Sequence, residues 1–387
     1  MSEWKKVKLG EVAATIQTGP FGSQLHQSDY SEIGTPVVMP KDIINGKIDL
    51  SSIARVENHH VERLSRHKIS EGDILYSRRG DVGKCAYTDK SQNGWLCGTG
   101  CLRITIDTRK VLPKFVFFQL QKKDTIGWIE KHAIGATMHN LNTSILSDVP
   151  IELPSFAIQH RIATILSRYD SLIENYQKQI KLLEESAQRL YKEWFIDLRF
   201  PGHENTKIVD GVPEGWEKAN LGTLVEFKRG KTITKKEAVE GNIPVVAGGL
   251  EPAYYCNKSN TSERVITISA SGANAGYTKM YFEEVWASDC SFADNSMTPY
   301  LHFIFCFLRD NKTTIDNMQK GSAQPHVYAK DINAMELCLP ETSILQTFEE
   351  KVSKCFDTIS SLIFQIRLLT EARDRLLPKL MSGEIEV

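Results

Sequence analysis

Apolar residues recur at a strict seven-residue interval between Phe156 and Phe195, in two rows that are offset by four residues. Alternating four- and three-residue spacing is typical of a coiled-coil seam, so this stretch predicts one long α-helix. At a rise of about 1.5 Å per residue the helix would be roughly 60 Å long, which predicts a projecting spacer. The seam positions expected to pack are Ile162, Leu166, Tyr169, Ile173, Tyr176, Ile180, Leu183 and Leu190.

A second helix repeats this register 186 positions later, since Phe348 stands where Ile162 stands in the first. Only Arg373 interrupts its apolar rows. Two heptad helices in one chain predict an intramolecular antiparallel coiled coil with pseudo-two-fold symmetry. The seam positions expected in the second helix are Phe348, Val352, Ile359, Leu362, Ile366, Leu369 and Leu376.

The segments before the two helices are also related to each other. Trp4 matches Trp216 and Gly80 matches Gly272, so the chain is predicted to be a tandem duplication. Differences in length between the copies fall within the globular parts, and the helices keep a constant length. The predicted segments are a globular domain at 1–150, a central helical region at 151–200, a linker at 201–213, a second globular domain at 214–336 and a C-terminal helical region at 337–387.

Short strand-like runs and one buried helix predict mixed α and β structure in the first globular domain. Gly, Asp and Asn separate the candidate strands, as expected for turns. The candidates are strands at 35–39, 73–77, 84–88 and 101–105, and a helix at 113–123 that begins at Pro113. The expected fold class is α+β: two globular domains of mixed α and β structure in tandem, separated by the two long helices.

Length and charge allow several functions. A chain of 387 residues can form two or three domains, and its formal net charge of −1 gives no whole-chain argument for binding nucleic acid. The N-terminus lacks the apolar core of a signal peptide, so the cytoplasm is the expected location. Cys97 and Cys101 fit small core residues better than half of a zinc site, and no metal site is expected.

Motifs of the common DNA-modifying enzymes are missing from the sequence. An adenine methyltransferase needs Asn or Asp before Pro-Pro-aromatic, an ATPase needs GxxxxGK[ST], and a metalloenzyme needs clustered ligands. We therefore expect a chain without catalytic activity. Two hypotheses stay open at this point: a coiled-coil adaptor that binds only proteins, and an enzyme with an unrecognised active site.

The order of globular domain, long helix, globular domain and long helix resembles the specificity subunit of type I restriction-modification enzymes. The resemblance covers nearly the whole chain. Its most specific parts are the two helices, their entries at Leu153-Pro154 and Leu339-Pro340, and the C-terminal LLPKLMSGEI.

The resemblance implies a protein that recognises double-stranded DNA. Each globular domain would be a target recognition domain that reads one half of a split, asymmetric target, and the helices would hold the domains apart. Two methyltransferase (modification) subunits would dock on the chain, and restriction/translocase subunits would join through the complex. S-adenosylmethionine, ATP and magnesium would be bound by those partners, with no cofactor in this chain.

Candidate DNA contacts in the first domain lie on loops. Arg78 and Arg79 follow a strand, with Lys84 close by, and arginine suits bidentate contact with guanine or phosphate. The alternative for both arginines is a solvated strand end. Further candidates are Gln24 in a glycine-rich loop, and His139 and Asn140, for which stabilisation of a turn is the alternative.

The second domain carries different residues at the matching places. Lys228, Arg229 and Lys231 form its basic cluster and suggest phosphate contact, with an ordinary exposed loop as the alternative. Ser271 and Asn274 occupy the uncharged counterpart of the Arg78 turn. Gln324 and His326 are the remaining candidates, and Gln324 stands where the first domain has Met138.

Overall fold

A computed structural model describes residues 4–133, 140–321 and 325–387. The chain forms two compact units: the first comprises Met1–Ile173 and Leu368–Val387, and the second comprises Glu174–Arg367. Each unit therefore holds one globular part, the start of the long helix that follows it, and the end of the other long helix. The boundaries of the five segments predicted from the sequence stay predictions.

Among its described residues, the first unit contains twelve short strands and five short helices before the first long helix. Its strands are β1 (Lys5–Lys8), β2 (Ala13–Thr18), β3 (Tyr30–Ser31), β4 (Thr35–Val38), β5 (Ile43–Ile44), β6 (Lys47–Ile48), β7 (Ala54–Val56), β8 (Ile74–Ser77), β9 (Cys85–Tyr87), β10 (Leu96–Cys97), β11 (Cys101–Ile106) and β12 (Pro150–Leu153). Its helices are α1 (Leu9–Val12), α2 (Asn58–Arg63), α3 (Pro113–Leu120), α4 (Lys123–His132), α5 (Thr143–Ser147) and the start of α6 (Phe156–Tyr191). The four strands and the helix predicted for this part are confirmed, with ends that shift by one to three residues.

Two four-stranded sheets form the first globular part. One has the order β2-β11-β8-β9 and is antiparallel throughout, and the other has the order β10-β4-β7-β3. Strand β8 is buried along its whole length because it lies inside the first sheet and carries Ile74, Leu75 and Tyr76. Strand β8 ends at Ser77, immediately before the turn that carries Arg78.

The second unit repeats this topology. Its strands are β13 (Ile208–Val209), β14 (Val212–Pro213), β15 (Glu217–Asn220), β16 (Lys228–Arg229), β17 (Ile243–Val246), β18 (Tyr254–Cys256), β19 (Val265–Ser269), β20 (Thr278–Tyr281), β21 (Trp286–Ala287), β22 (Cys290–Asp294) and β23 (Glu336–Leu339). Its helices are α7 (Leu301–Asp310), α8 (Lys312–Asn317), α9 (Ala329–Asn333) and most of α10 (Thr342–Met381). The sheet order β16-β22-β19-β20 corresponds strand by strand to β2-β11-β8-β9.

The two long helices complete the core of each unit. In the first unit, Ile162 and Leu166 of α6 share a hydrophobic core with Leu380 near the end of α10. In the second unit, Tyr191 at the end of α6 shares a core with Phe348 near the start of α10. The start of one helix thus packs with the end of the other, which is the antiparallel arrangement predicted from the seams.

Every apolar seam position predicted from the heptads is buried or half-buried. Ile162, Leu166, Phe348, Val352 and Ile359 are almost fully buried. The predicted fold class, two tandem globular parts of mixed α and β structure with two long helices, is confirmed.

The long helices also cap the short helices of the globular parts. Gln159 of α6 accepts a hydrogen bond from the backbone N–H of Leu112 (2.9 Å), just before α3. Glu349 of α10 accepts from the N–H groups of His302 (3.2 Å) and Phe303 (3.1 Å) at the start of α7. These N–H groups lack partners within their own helices, so the caps attach each globular part to a long helix.

Arg373, which interrupts the seam, forms an ion pair across the two helices. Its Nη1 donates to Asp170 Oδ1 (2.9 Å) and its Nε donates to Asp374 Oδ1 (3.0 Å). Although burial acts to lower it, the hydrogen bonds to these two carboxylates raise the pKa of Arg373. The polar pair therefore fills the gap in the apolar row without leaving a half-buried charge unpaired.

Replacing Asp170 with Ala should lower the free energy of unfolding by about 1–2 kcal/mol, because half-buried Arg373 would keep only Asp374 as its partner. Arg375→Ala is the matched control, since Arg375 pairs with Glu371 on the exposed face of the same helix. Its effect should stay within about 0.5 kcal/mol. Urea unfolding of the two variants measures the difference, and equal losses would contradict a structural role for the Asp170–Arg373 pair.

Candidate nucleic-acid interface

The turn after β8 joins three segments of the first unit. The backbone N–H of Arg78 donates to Gly100 O (2.8 Å), and the N–H of Leu141 donates to Arg78 O (2.9 Å). Gly80 completes the turn with a φ of +74°, a conformation that favours glycine. The position of Arg78 is thus determined by backbone hydrogen bonds to segments that are distant in sequence.

The side chain of Arg78 is anchored at one end only. Its Nε donates to Asn140 Oδ1 (3.1 Å) and to Leu141 O (3.0 Å). Within the described residues its two terminal nitrogens have no hydrogen-bond partner. Burial lowers the pKa of Arg78, and the neighbouring charge of Arg79 adds to this effect. The guanidinium still stays protonated at neutral pH, so it can donate two hydrogen bonds to a ligand.

The other candidates on this turn are exposed. Arg79 pairs through its backbone with Asn140, and Ser77 Oγ donates to Arg79 O (3.1 Å). Lys84 lies 3.2 Å from a carboxylate oxygen of Asp81, and both side chains are about half exposed. An ion pair of this exposure is weak, so Lys84 can exchange Asp81 for another anion.

Gln24 has a structural role in the glycine-rich loop. Its Oε1 accepts from the N–H of Phe21 (3.1 Å), and its own N–H donates to Phe21 O (2.8 Å). Arg63 Nη1 donates to Gln24 O (2.8 Å). The side-chain oxygen that could have read a base therefore closes the loop instead.

The corresponding turn of the second unit carries no charge. Gly272 N donates to Pro325 O (3.1 Å), and the backbones of Ser271 and His326 pair as an isolated bridge. Asn274 Nδ2 donates to Gly248 O (3.3 Å). The pairing of Ser271 with His326 corresponds to the pairing of Arg79 with Asn140 in the first unit.

The basic cluster of the second unit lies on β16 and the residues after it. Arg229 forms an ion pair with Asp289, which also accepts a hydrogen bond from Ser271 Oγ. Lys228 and Lys231 are exposed and have no ion pair among the described residues. Asp289, which neutralises Arg229, was not predicted from the sequence. It precedes Cys290 as Gly100 precedes Cys101, and that match was the available signal.

His326 borders an aromatic group. Its ring stacks on Tyr328 with centroids 6.0 Å apart and an interplanar angle of 16°. The ammonium groups of Lys320 and Lys330 each lie 5.9 Å from the centroid of the Tyr328 ring. The predicted candidates His139 and Gln324 lie outside the described residues.

The two units share one backbone arrangement at these turns, although the side chains on it differ. This arrangement, called the frame, comprises the turns after β8 and β19 and the loops that hold Gly19 and Gly230. In the first unit Gly19 N donates to Cys101 O (2.9 Å), and in the second Gly230 N donates to Cys290 O (2.8 Å). A Cβ on Gly19 would overlap the carbonyl oxygen of Gly98, and a Cβ on Gly230 would lie 2.5 Å from the carbonyl oxygen of Ser288. The glycines therefore allow a close approach of two backbone segments at the same place in both units.

Metal ligands are not grouped among the described residues of these turns. Across 4–133, 140–321 and 325–387, no three His, Cys, Asp or Glu side chains are grouped to hold a metal ion. None of the helices in those ranges is both long enough and apolar enough to span a membrane. The arrangement instead offers charged and polar side chains on hydrogen-bonded turns.

Comparisons with known proteins identify the class. The family model for the type I restriction modification DNA specificity domain matches residues 1–185 and again residues 213–368. The chain therefore belongs to this family of non-catalytic DNA specificity subunits. The resemblance inferred from the helices is confirmed, and the hypothesis of an adaptor that binds only proteins is not favoured.

Individual relatives match over the full chain. The type I restriction enzyme MjaIX specificity subunit of Methanocaldococcus jannaschii is 29% identical, with 99% of this chain and 93% of the relative covered. The HindI specificity subunit of Haemophilus influenzae is 23% identical and is covered completely, as is this chain. The crystal structure of a type I restriction-modification S subunit from M. genitalium shares the fold, with a TM-score of 0.58, 20% identity, and 97% of this chain and 96% of that chain covered.

Replacing Gly19 with Ala should lower the free energy of unfolding by about 2 kcal/mol or more, because the new Cβ would overlap the backbone of Gly98. Gly22→Ala, three residues on in the same loop, is the control: its Cβ would meet no atom within 4 Å. Chemical denaturation of both variants tests the difference. If Gly19→Ala were as stable as Gly22→Ala, the close approach would not constrain the loop.

Proposed function

We propose that this chain reads a split, asymmetric target in double-stranded DNA, with one half read by each globular domain. The observation that carries the proposal is the frame shared by the two units, which presents Arg78 and Arg79 in one unit and Ser271 and Asn274 in the other. Equal frames suit equivalent positions on two half-sites, and different side chains suit different base pairs. An asymmetric target follows from that difference.

In the first domain we assign base reading to Arg78 and phosphate contact to Arg79 and Lys84. The anchored Nε of Arg78 leaves its terminal nitrogens available in a fixed direction, which suits bidentate contact with O6 and N7 of guanine. Exposed Arg79 and Lys84 are less constrained, as phosphate contacts allow. Asn140 positions Arg78, and Gln24 shapes the neighbouring loop.

In the second domain we assign phosphate contact to Lys228 and Lys231. Arg229 would hold Asp289 and Ser271 in place, since its charge is already paired. Ser271, Asn274 and His326 would face bases, where hydroxyl, amide and imidazole groups can donate or accept hydrogen bonds. Gln324 remains a candidate in this domain, as does His139 in the first domain.

The long helices would supply the docking surface for the partner subunits. As a member of its family, the chain acts with methyltransferase and restriction subunits on DNA. We propose two methyltransferase subunits, because each unit contains the same combination of helix segments, with restriction subunits joining through the complex. Exposed Leu182, Phe364 and Leu368 on the helices support protein docking there.

The same proposal assigns the cofactors to the partners. S-adenosylmethionine, ATP and magnesium would bind to the methyltransferase and restriction subunits, since this sequence lacks the glycine-rich loops that hold such groups. The complex would work in the cytoplasm, where it meets the chromosome and incoming DNA.

Exchanging residues 1–150 for the corresponding domain of a relative should change one half of the methylated site and leave the other half intact. The reciprocal exchange of residues 214–336 should change the other half, and it serves as the control. Sequencing the methylated bases in cells that carry each chimera with its partner subunits measures both halves. A change in both halves from one exchange would contradict the assignment of one half to each domain, and methylation that never depends on either domain would leave only the adaptor hypothesis.

The double substitution Lys228→Ala with Lys231→Ala should reduce the slope of log K against log salt by about 2, because each phosphate contact contributes about 0.9. Lys218→Ala is the control, since Lys218 is exposed and lies on β15, which pairs with β23 in a sheet separate from that of β16. Titration of target duplex with the assembled complex at several salt concentrations measures the slopes; an unchanged slope in the double variant would remove these lysines from the interface.

A further inference from the structure

Phe21 of the first unit has an exposed aromatic side chain. Its exposed fraction is 52%. The residue after it, Gly22, faces open space, because a Cβ there would meet no atom within 4 Å. Among the described residues the Arg78 guanidinium lies beside the Phe21 ring, and the rest of the ring is accessible to a ligand.

The loop that carries Phe21 is nevertheless firmly held. Gln24 bonds to the backbone of Phe21 on both sides, as described above, and Thr99 Oγ1 donates to Pro20 O (3.0 Å). Gly19 lies against the backbone of Gly98, where no larger residue fits. The backbone that presents Phe21 is thus ordered before any ligand arrives, which reduces the entropy lost on binding.

Phe21 lies next to the proposed guanine reader. Cζ of Arg78 is 5.9 Å from the centroid of the Phe21 ring, within the range of a cation–π contact. The bidentate contact of arginine with guanine occurs in the major groove. Adjacent base pairs are about 3.4 Å apart along the DNA axis, so a ring this close to the guanidinium would reach the neighbouring base pair in the same groove.

We infer that Phe21 reads the C5-methyl group of a thymine next to the guanine that Arg78 contacts. This inference rests on the proposed function and adds a base to it. The thymine methyl is the apolar group that the major groove presents, and a phenylalanine ring is among the side chains that contact it. Arg78 and Phe21 together would therefore specify a guanine and an adjacent thymine in the half-site of the first domain.

The second domain supplies an internal comparison. Gly230 occupies the place of Gly19 in its frame, and Lys231 and Thr232 follow it where Pro20 and Phe21 follow Gly19. No aromatic residue stands at this position of the second loop. The half-site of the second domain should therefore lack a thymine contact of this kind.

The test is a double-mutant cycle between Phe21 and the thymine methyl group. Once the target is known from the methylated bases, each thymine of the first half-site is replaced in turn by deoxyuridine, which removes only the methyl group. Binding of each duplex to the complex with its methyltransferase subunits is then measured for the unchanged protein and for Phe21→Ala. For the unchanged protein we expect one thymine, next to a guanine, at which the replacement weakens binding about fourfold, which corresponds to about 0.8 kcal/mol for one buried methyl group.

In Phe21→Ala the same replacement should have no effect, while replacements in the second half-site should affect both proteins equally. Ile33→Ala is the matched control: Ile33 has an exposed fraction of 85% and precedes β4, whose other end lies against Gly98. It should behave as the unchanged protein.

The inference is overturned if no thymine next to guanine shows the effect, or if the loss persists in Phe21→Ala. Failure of the proposed function has a different signature, because the unchanged complex would then bind target and unrelated duplexes equally.

Discussion

Neither copy of the duplicated sequence can bury its hydrophobic surface alone, and this constraint determines the architecture. Leu380 and Met381 belong to the second copy but lie in the core of the first unit. Tyr191 and Trp194 belong to the first copy but lie in the core of the second unit, where they contact Phe348. A heptad seam that remained unpaired would expose a continuous apolar stripe, so each helix must run through both units.

The same constraint explains why the two copies differ in length within the globular parts and not within the helices. An insertion that is not a whole number of heptads would shift the seam residues on one side of it out of register with the paired helix. Loops in the globular parts carry no residues of the seam. Their frame depends on a few backbone contacts, such as the approach of Gly19 to Gly98 and of Gly230 to Ser288, and the side chains on the frame can differ. Under the proposed function, the side chains that read DNA could change without a change in the helices.

Periodicity predicted the architecture because it is a local property of the sequence. The seven-residue spacing identified both helices, and short apolar runs separated by Gly, Asp and Asn identified the strands that hold the Arg78 turn. Contacts made by individual polar side chains were not predictable in this way. Nothing near Gln24 indicates that its side chain closes its own loop, and the pairing of Arg229 with Asp289 joins residues that are brought together by adjacent strands. Arg373 was recognised as a break in the seam, whereas its partner Asp170 lies off the seam and could be found only from the packed helices.

A nearly neutral chain can still bind DNA if its positive charges are unequally compensated. The salt bridges of this protein neutralise many of its basic residues, including Arg229 by Asp289 and Arg367 by Glu283. Arg78 is an exception, because its anchoring partners are an amide and a carbonyl oxygen, which orient the guanidinium without cancelling its charge. Under the proposed function, neutral anchors of this kind would cost less on binding than an ion pair, since no carboxylate would have to be displaced before Arg78 met DNA. Specificity would then depend on where charge is left unpaired, and not on the net charge of the chain.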